Sequence, residues 1–152
     1  MVYILAVLII LLDQFSKYLV KTYMQIGESI PLLGDVLRLT SHRNPGAAFG
    51  MLQGKRWLFV VITVIVISAI AYATGRIGKE RKLLRISLGL LLGGAVGNLI
   101  DRVLHGEVVD FIDVHIIHYP IFNIADSAIV IAVVLMMIDM FIMWRKEEAT
   151  QR

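Results

Sequence analysis

Four long apolar runs govern what this chain can become. They cover about residues 2–23, 57–74, 86–104 and 122–144, each near the roughly 20 residues that an α-helix needs to cross the hydrocarbon core of a bilayer. Hydrocarbon offers no water to the backbone, so a spanning run must satisfy its own N–H and C=O groups, and it does so as a helix. The chain is 58% hydrophobic, against about 45–50% in a soluble domain. These runs predict an all-α membrane protein. Four transmembrane helices form a single integral domain over residues 1–152.

Charge sets the threading. Residues 75–85, GRIGKERKLLR, carry five Lys/Arg against one Glu, the density expected of a cytoplasmic loop. The tail WRKEEATQR opens with a basic pair after Trp144 and belongs on the same side, so both termini are expected in the cytoplasm. Lys17, Lys21, Arg38, Arg43, Lys55 and Arg56 then fall toward the outer side, and the compact basic loop outweighs them. The start, MVYILAVLIILLDQ, lacks a basic leader and a small-residue cleavage site, so it reads as a retained first helix. Threading also explains the net charge of +3. No basic surface interleaved with aromatics offers itself to nucleic acid. The absence of cysteine removes disulfides, thiol nucleophiles and thiolate metal sites.

Residues 24–56 form a polar interlude punctuated by Gly27, Pro31, Gly34, Gly46, Gly50 and Gly54, which argues against a long helix. VLRLT alternates as a short strand does. RNPGAAFG is a turn followed by small residues, which lets another backbone or a substrate come close. The interlude is longer than a connector needs. It is expected to make a small extracytoplasmic β-cradle on the membrane surface, with glycines placed as hinges.

Polar residues gather between Gly93 and Asp126, in GGAVGNLIDRVLHGEVVDFIDVHIIHYPIFNIAD. Asn98, Asp101, Arg102, Asp110, Asp113, Asn123 and Asp126 lie there, and ionisable groups at a membrane boundary are costly enough to mark function. The third and fourth helices are antiparallel neighbours, so the ends of their connection meet. Asp110 follows one end and Asp126 lies just inside the other. Two carboxylates in contact cannot both ionise easily, and one keeps a proton near neutral pH. The ionised member of such a pair takes a proton from an attacking water, and the protonated member polarises a scissile carbonyl. Neither a metal nor a covalent intermediate is required. Spacing alone does not select this pair over Asp101 or Asp113; on the same reading Asp101 is a partner for Arg102.

Elsewhere, Asp13 and Lys17 stand four apart on the first helix and share a face, so they can pair. They read as a structural polar pair that faces the bundle interior and snorkels outward. Gly89, Gly93 and Gly97 repeat every four residues and permit close helix packing. Asp139, one turn short of the basic end of the last helix, reads as a snorkelling or paired residue.

NPGAAFG (44–50), GNLIDR (97–102), VVDF (108–111) and FNIAD (122–126), in this order on four spans with DQFSK at 13–17, resemble the lipoprotein signal peptidase family, the bacterial signal peptidase II. The resemblance covers essentially the whole chain. It implies that Asp110 and Asp126 are the catalytic aspartates. It implies that Asn44 and Arg102 position substrate, that Asp101 and Asn123 hold the polar network, and that Asn98, Asp13 and Gly46 support the site. The implied substrates are diacylglyceryl-modified prolipoproteins, cut just before the lipidated cysteine, with acyl chains held among membrane lipid between the helices. No cofactor or metal is implied. The implied setting is the bacterial cytoplasmic membrane, with a monomer whose active site lies near the outer face.

Two other readings compete. His105, His115 and His118 invite a metal, yet there is no HExxH and no carboxylate at zincin spacing, so they read as exposed loop histidines. A small proton-coupled transporter would use Asp13 as its leading carboxylate, but the polar residues cluster at one interface and leave helices two and four nearly bare.

Overall fold

The computed structural model describes residues 1–46, 52–117 and 119–150. Four helices run through it: α1 (Val2–Tyr23), α2 (Arg56–Arg76), α3 (Lys82–His105) and α4 (Ile124–Thr150). Each is long and apolar enough to cross a membrane. Three strands, β1 (Ser29–Leu33), β2 (Leu37–Asn44) and β3 (Val108–Asp113), form an antiparallel sheet in the order β1-β2-β3. The fold is thus a four-helix membrane protein with a small sheet.

Helix α3 is the hub, packing against α1, α2 and α4. Its glycines allow this. A Cβ on Gly89 would lie 2.9 Å from the Val2 carbonyl oxygen, one on Gly93 2.7 Å from Ile9 Cβ, and one on Gly97 2.7 Å from an Asp13 carboxylate oxygen. The repeat seen in the sequence is therefore the groove in which α1 lies, running parallel to α3. Gly94 serves α4 instead, because a Cβ there would collide with the Ala125 carbonyl. Val2, Ala6, Ile70, Leu88 and Leu92 close the core near the start of α3. Outward faces such as Leu8, Leu11, Val61, Ile65, Val134 and Phe141 are exposed apolar surface, suited to lipid and not to water.

The sheet is larger than expected. The interlude supplies β1 and β2, paired from Ser29 with Thr40 to Leu33 with Leu37 around a turn at Gly34, which has φ +50°. The third strand comes from the connection between α3 and α4, and pairs with β2 from Arg38 with Asp113 to Asn44 with Val108. Val109 and Phe111 pack with Val20 of α1, and the alternation of a strand turns Val108 and Asp110 to the opposite side.

Boundaries also shift. Helices α2 and α3 extend into the basic stretch, leaving only residues 77–81 between them, and α4 continues to Thr150. Helix α4 begins beside Gly94 and Gly97, some eight to eleven residues short of the end of α3. At 1.5 Å per residue that is about 12–16 Å below it, and β3 fills the gap. Asp139 pairs with Arg81 at the opposite end of the bundle.

Candidate active site

One buried polar network joins α1, α3, β3 and the first turn of α4. Asn123 caps α4. Its Oδ1 accepts the Asp126 backbone N–H at 2.9 Å, while the Asp126 carboxylate accepts the Asn123 N–H at 3.3 Å, a reciprocal capping box with an aspartate in the third helical position. The cap does more than end a helix. Asn123 Nδ2 donates to Asp110 at 2.7 Å, to Asn98 Oδ1 at 3.1 Å and to the Val109 carbonyl at 3.3 Å. The Phe122 backbone pairs with Ile112 on both its N–H and C=O, which locks the cap beside the strand carrying Asp110.

Each carboxylate of the pair is held by amides. Asp110 accepts Asn44 Nδ2 at 2.9 Å and Asn123 Nδ2 at 2.7 Å. Asp126 accepts Asn98 Nδ2 at 2.7 Å at the N-terminal turn of α4, where helix amides favour negative charge. Both line one cavity of about 290 Å3, together with Asn44, Asn98, Arg102, Tyr119 and Phe122. Asp110 is 1% exposed. Burial, with the neighbouring Asp126 charge adding to it, pushes its carboxyl from 3.8 up to about 7 against the amide bonds and Lys17. Near neutral pH this carboxyl is therefore partly protonated.

The remaining candidates divide into two groups. Asn44 and Asn98 face the cavity, and Asn44 Oδ1 accepts the Gly46 N–H at 3.0 Å. Arg102 donates to the Gly46 carbonyl at 3.3 Å and lies 4.8 Å above the Phe59 ring. Asp13 and Asp101 stand behind the cavity. Asp101 does not pair with Arg102, as the sequence suggested. It pairs with Lys17 at 2.8 Å, because Lys17 from the neighbouring helix is sealed beside it. Asp13 also meets Lys17 at 2.8 Å. The pair forms as its spacing predicts, but Lys17 is 1% exposed and does not snorkel. Lys17 was absent from the residues proposed for the site. The signal was a lysine within an apolar helix, four residues after an aspartate.

Of the histidines, His105 lies 3.1 Å from Lys21 Nζ and His115 3.6 Å from an Asp113 oxygen, while His118 lies outside the described residues. Among the described residues no three His, Cys, Asp or Glu side chains group as metal ligands do. Most of the NPGAAFG motif (47–50), with the hinge expected at Gly50, also lies outside them.

Four bilayer-length helices closing on a shielded aspartate pair define the class, a multi-pass membrane aspartic peptidase. The family described as signal peptidase (SPase) II matches residues 5–142. The lipoprotein signal peptidase of Brevibacillus brevis is 53% identical over 144 residues, 95% of this chain and 97% of that protein. That of Shouchella clausii is 53% identical over 152 residues, all of both chains. Two solved bacterial membrane enzymes have the same fold. One aligns at TM-score 0.89 and 41% identity over 99% of this chain and 91% of its own. The other aligns at 0.84 and 45% over 91% of each. The chain belongs to the signal peptidase II family.

Proposed function

We propose that this peptidase removes the signal peptide from diacylglyceryl-modified prolipoproteins, cutting just before the lipidated cysteine, with Asp110 and Asp126 as its catalytic pair. The single observation that carries the site assignment is the shared cavity. Buried Asp110 and partly buried Asp126, each fixed by asparagine amides, face one space large enough for a peptide bond and a water. Asp110 holds the proton and donates a hydrogen bond to the scissile carbonyl. Asp126 takes a proton from the attacking water, its charge supported by Asn98 and the start of α4. The tetrahedral intermediate collapses as a proton passes to the leaving nitrogen, and the pair returns to its starting state. Low dielectric around the cavity strengthens each of these interactions.

Arg102 and Asn44 line the same space and are assigned to hold substrate main-chain oxygens. A second groove of about 350 Å3, lined by Ile62, Thr63, Val66, Leu91 and Ala95, reaches Arg102 and Asp126 from between the helices. Its apolar walls suit an acyl chain, which keeps the lipid in hydrocarbon while the peptide meets the carboxylates. The site lies toward the outer face, with both termini in the cytoplasm, one copy forms the whole site, and nucleic acid has no part in it. The test is cleavage of a diacylglyceryl-modified prolipoprotein by the purified protein, with and without a chelator, read by mass spectrometry. The expected product begins at the lipidated cysteine and is indifferent to chelator. No cleavage by folded protein, or proton flux coupled to a transported solute, would overturn the reading.

A further inference from the structure

Lys17 lies at the centre of the polar network and touches neither the cavity nor the aspartates that line it. Its three ammonium protons are all committed, to Asp13 at 2.8 Å, Asp101 at 2.8 Å and Asn98 Oδ1 at 2.9 Å. Each of those partners leads to a reacting carboxylate. Asp13 Oδ1 accepts the backbone N–H of Ala125 at 3.0 Å, the residue before Asp126. Asp101 Oδ2 accepts the N–H of Val109 at 3.4 Å, the residue before Asp110. Asn98, with its oxygen held by the ammonium and by Asn123, must present its Nδ2 protons to Asp126. An ammonium has donors only and an amide has one end of each kind, so the cation fixes which way the Asn98 amide points.

We propose that Lys17 is a positioning residue for the peptidase reaction: its buried ammonium orients the Asn98 amide on Asp126, anchors the segments that carry both aspartates, and sets the pH range in which the pair works. The inference rests on the two-aspartate reading above. Lys17 pairs with Asp13 on α1 and Asp101 on α3 and acts through space on Asp110 of β3; Arg102 on α3 and Asp126 on α4 complete the charged cluster through their interactions with Asp110. From β2, His42 stands opposite Asp110 in register and is exposed. From α2, Arg56 is turned to the Val103 carbonyl. Lys17 and its two carboxylates carry a net charge of −1, and loss of the lysine alone makes this −2. The ammonium holds Asp110 down against burial, so its loss moves Asp110 further up, and the limb of the activity profile on which Asp110 titrates moves to higher pH.

The experiment compares wild type, Lys17→Met, Lys17→Arg and the double variant Lys17→Met/Asp101→Asn, with Asp110→Asn as reference. Cleavage of a quenched diacylglyceryl lipopeptide is followed in detergent from pH 5 to 9, and thermal unfolding confirms folding. Lys17→Met is expected to lose kcat by about tenfold or more with KM within about twofold, and to move the Asp110 limb to higher pH. The double variant restores the net charge of −1. It is expected to return the limb to its wild-type position while kcat stays low, since Asn98 still lacks its ammonium. Lys17→Arg keeps the charge and the limb. If Lys17→Met leaves the limb in place and only scales activity down, or if the double variant has wild-type kcat, the inference is overturned. Should Lys17→Met alone fail to fold, the kcat of the double variant and the limb of Lys17→Arg decide the same question. Normal cleavage by Asp110→Asn would instead sink the two-aspartate reading, whatever Lys17 does.

Discussion

Replacing Asp110 by Asn should change how stability depends on pH, by an amount the structure sets. The Asp110 carboxyl is raised from 3.8 to about 7 by burial, so the folded state keeps a proton that the unfolded state releases. For a carboxyl shifted upward, the stabilising contribution is complete below 3.8 and is lost as pH rises toward the folded value. The whole shift of about three units corresponds to about 4 kcal/mol. Between pH 4.5 and pH 8 the wild type should lose about 3 kcal/mol from this group, which the Asn variant does not lose. Asn brings a fixed penalty of its own. Both Asp110 oxygens accept amide protons, and the new NH2 would oppose one of them at about 1–2 kcal/mol, at every pH alike. The slope is therefore the diagnostic. Trp57 and Trp144 give an intrinsic fluorescence signal for melting in detergent. About 3 kcal/mol in a chain of this size corresponds to roughly 6–12 °C. The gap between variant and wild type should move in the variant's favour by that much from pH 4.5 to pH 8. A gap that stays constant across the range would refute the reasoning, because Asp110 would then titrate alike in both states.

Three further outcomes follow from the packing and the threading. Gly97→Ala puts a methyl 2.7 Å from the Asp13 carboxylate; it should cost about 1–3 kcal/mol of stability and most of the activity, measured by melting and cleavage together. Asn123→Ala removes the α4 cap and the amide on Asp110; it should lower stability by about 1–2 kcal/mol and abolish turnover even where the protein is folded. The chain has no cysteine of its own, so single substitutions report sidedness cleanly. Lys79→Cys should react with an impermeant maleimide only in inverted vesicles, and Asp35→Cys only in intact cells.

The helices were legible in the sequence because hydrocarbon leaves a backbone little choice, and the strand at VLRLT because it alternates. β3 was not read as a strand, because VVDFID runs apolar-apolar-polar and lacks the alternation of a half-buried strand. Its partner is β2, some 70 residues earlier, and period alone does not reveal long-range pairing. The depth at which α4 begins was hidden for a similar reason. It depends on Gly94 admitting the Ala125 backbone, one glycine beyond the regular repeat that Gly89, Gly93 and Gly97 announce. The aspartate pair could be named only through the resemblance, since spacing left Asp101 and Asp113 equally eligible. The structure separates them physically. Asp101 is committed to Lys17, and Asp113 accepts Thr40 on the sheet, away from the cavity. Lys17 was underestimated because an ordinary membrane-boundary lysine reaches for water, and this one is enclosed by two aspartates and an asparagine.

The central claim is that Asp110 and Asp126 together activate water at a peptide bond. Its most direct test is cleavage of a diacylglyceryl-modified prolipoprotein by purified wild type, Asp110→Asn and Asp126→Asn, each shown to be folded by its melting curve. Wild type should cut before the lipidated cysteine and, in oxygen-18 water, leave one labelled oxygen on the released signal peptide. Both variants should fall below about one-hundredth of that rate, the order expected when an acid or base is removed. Near-normal cleavage by either folded variant would contradict the account.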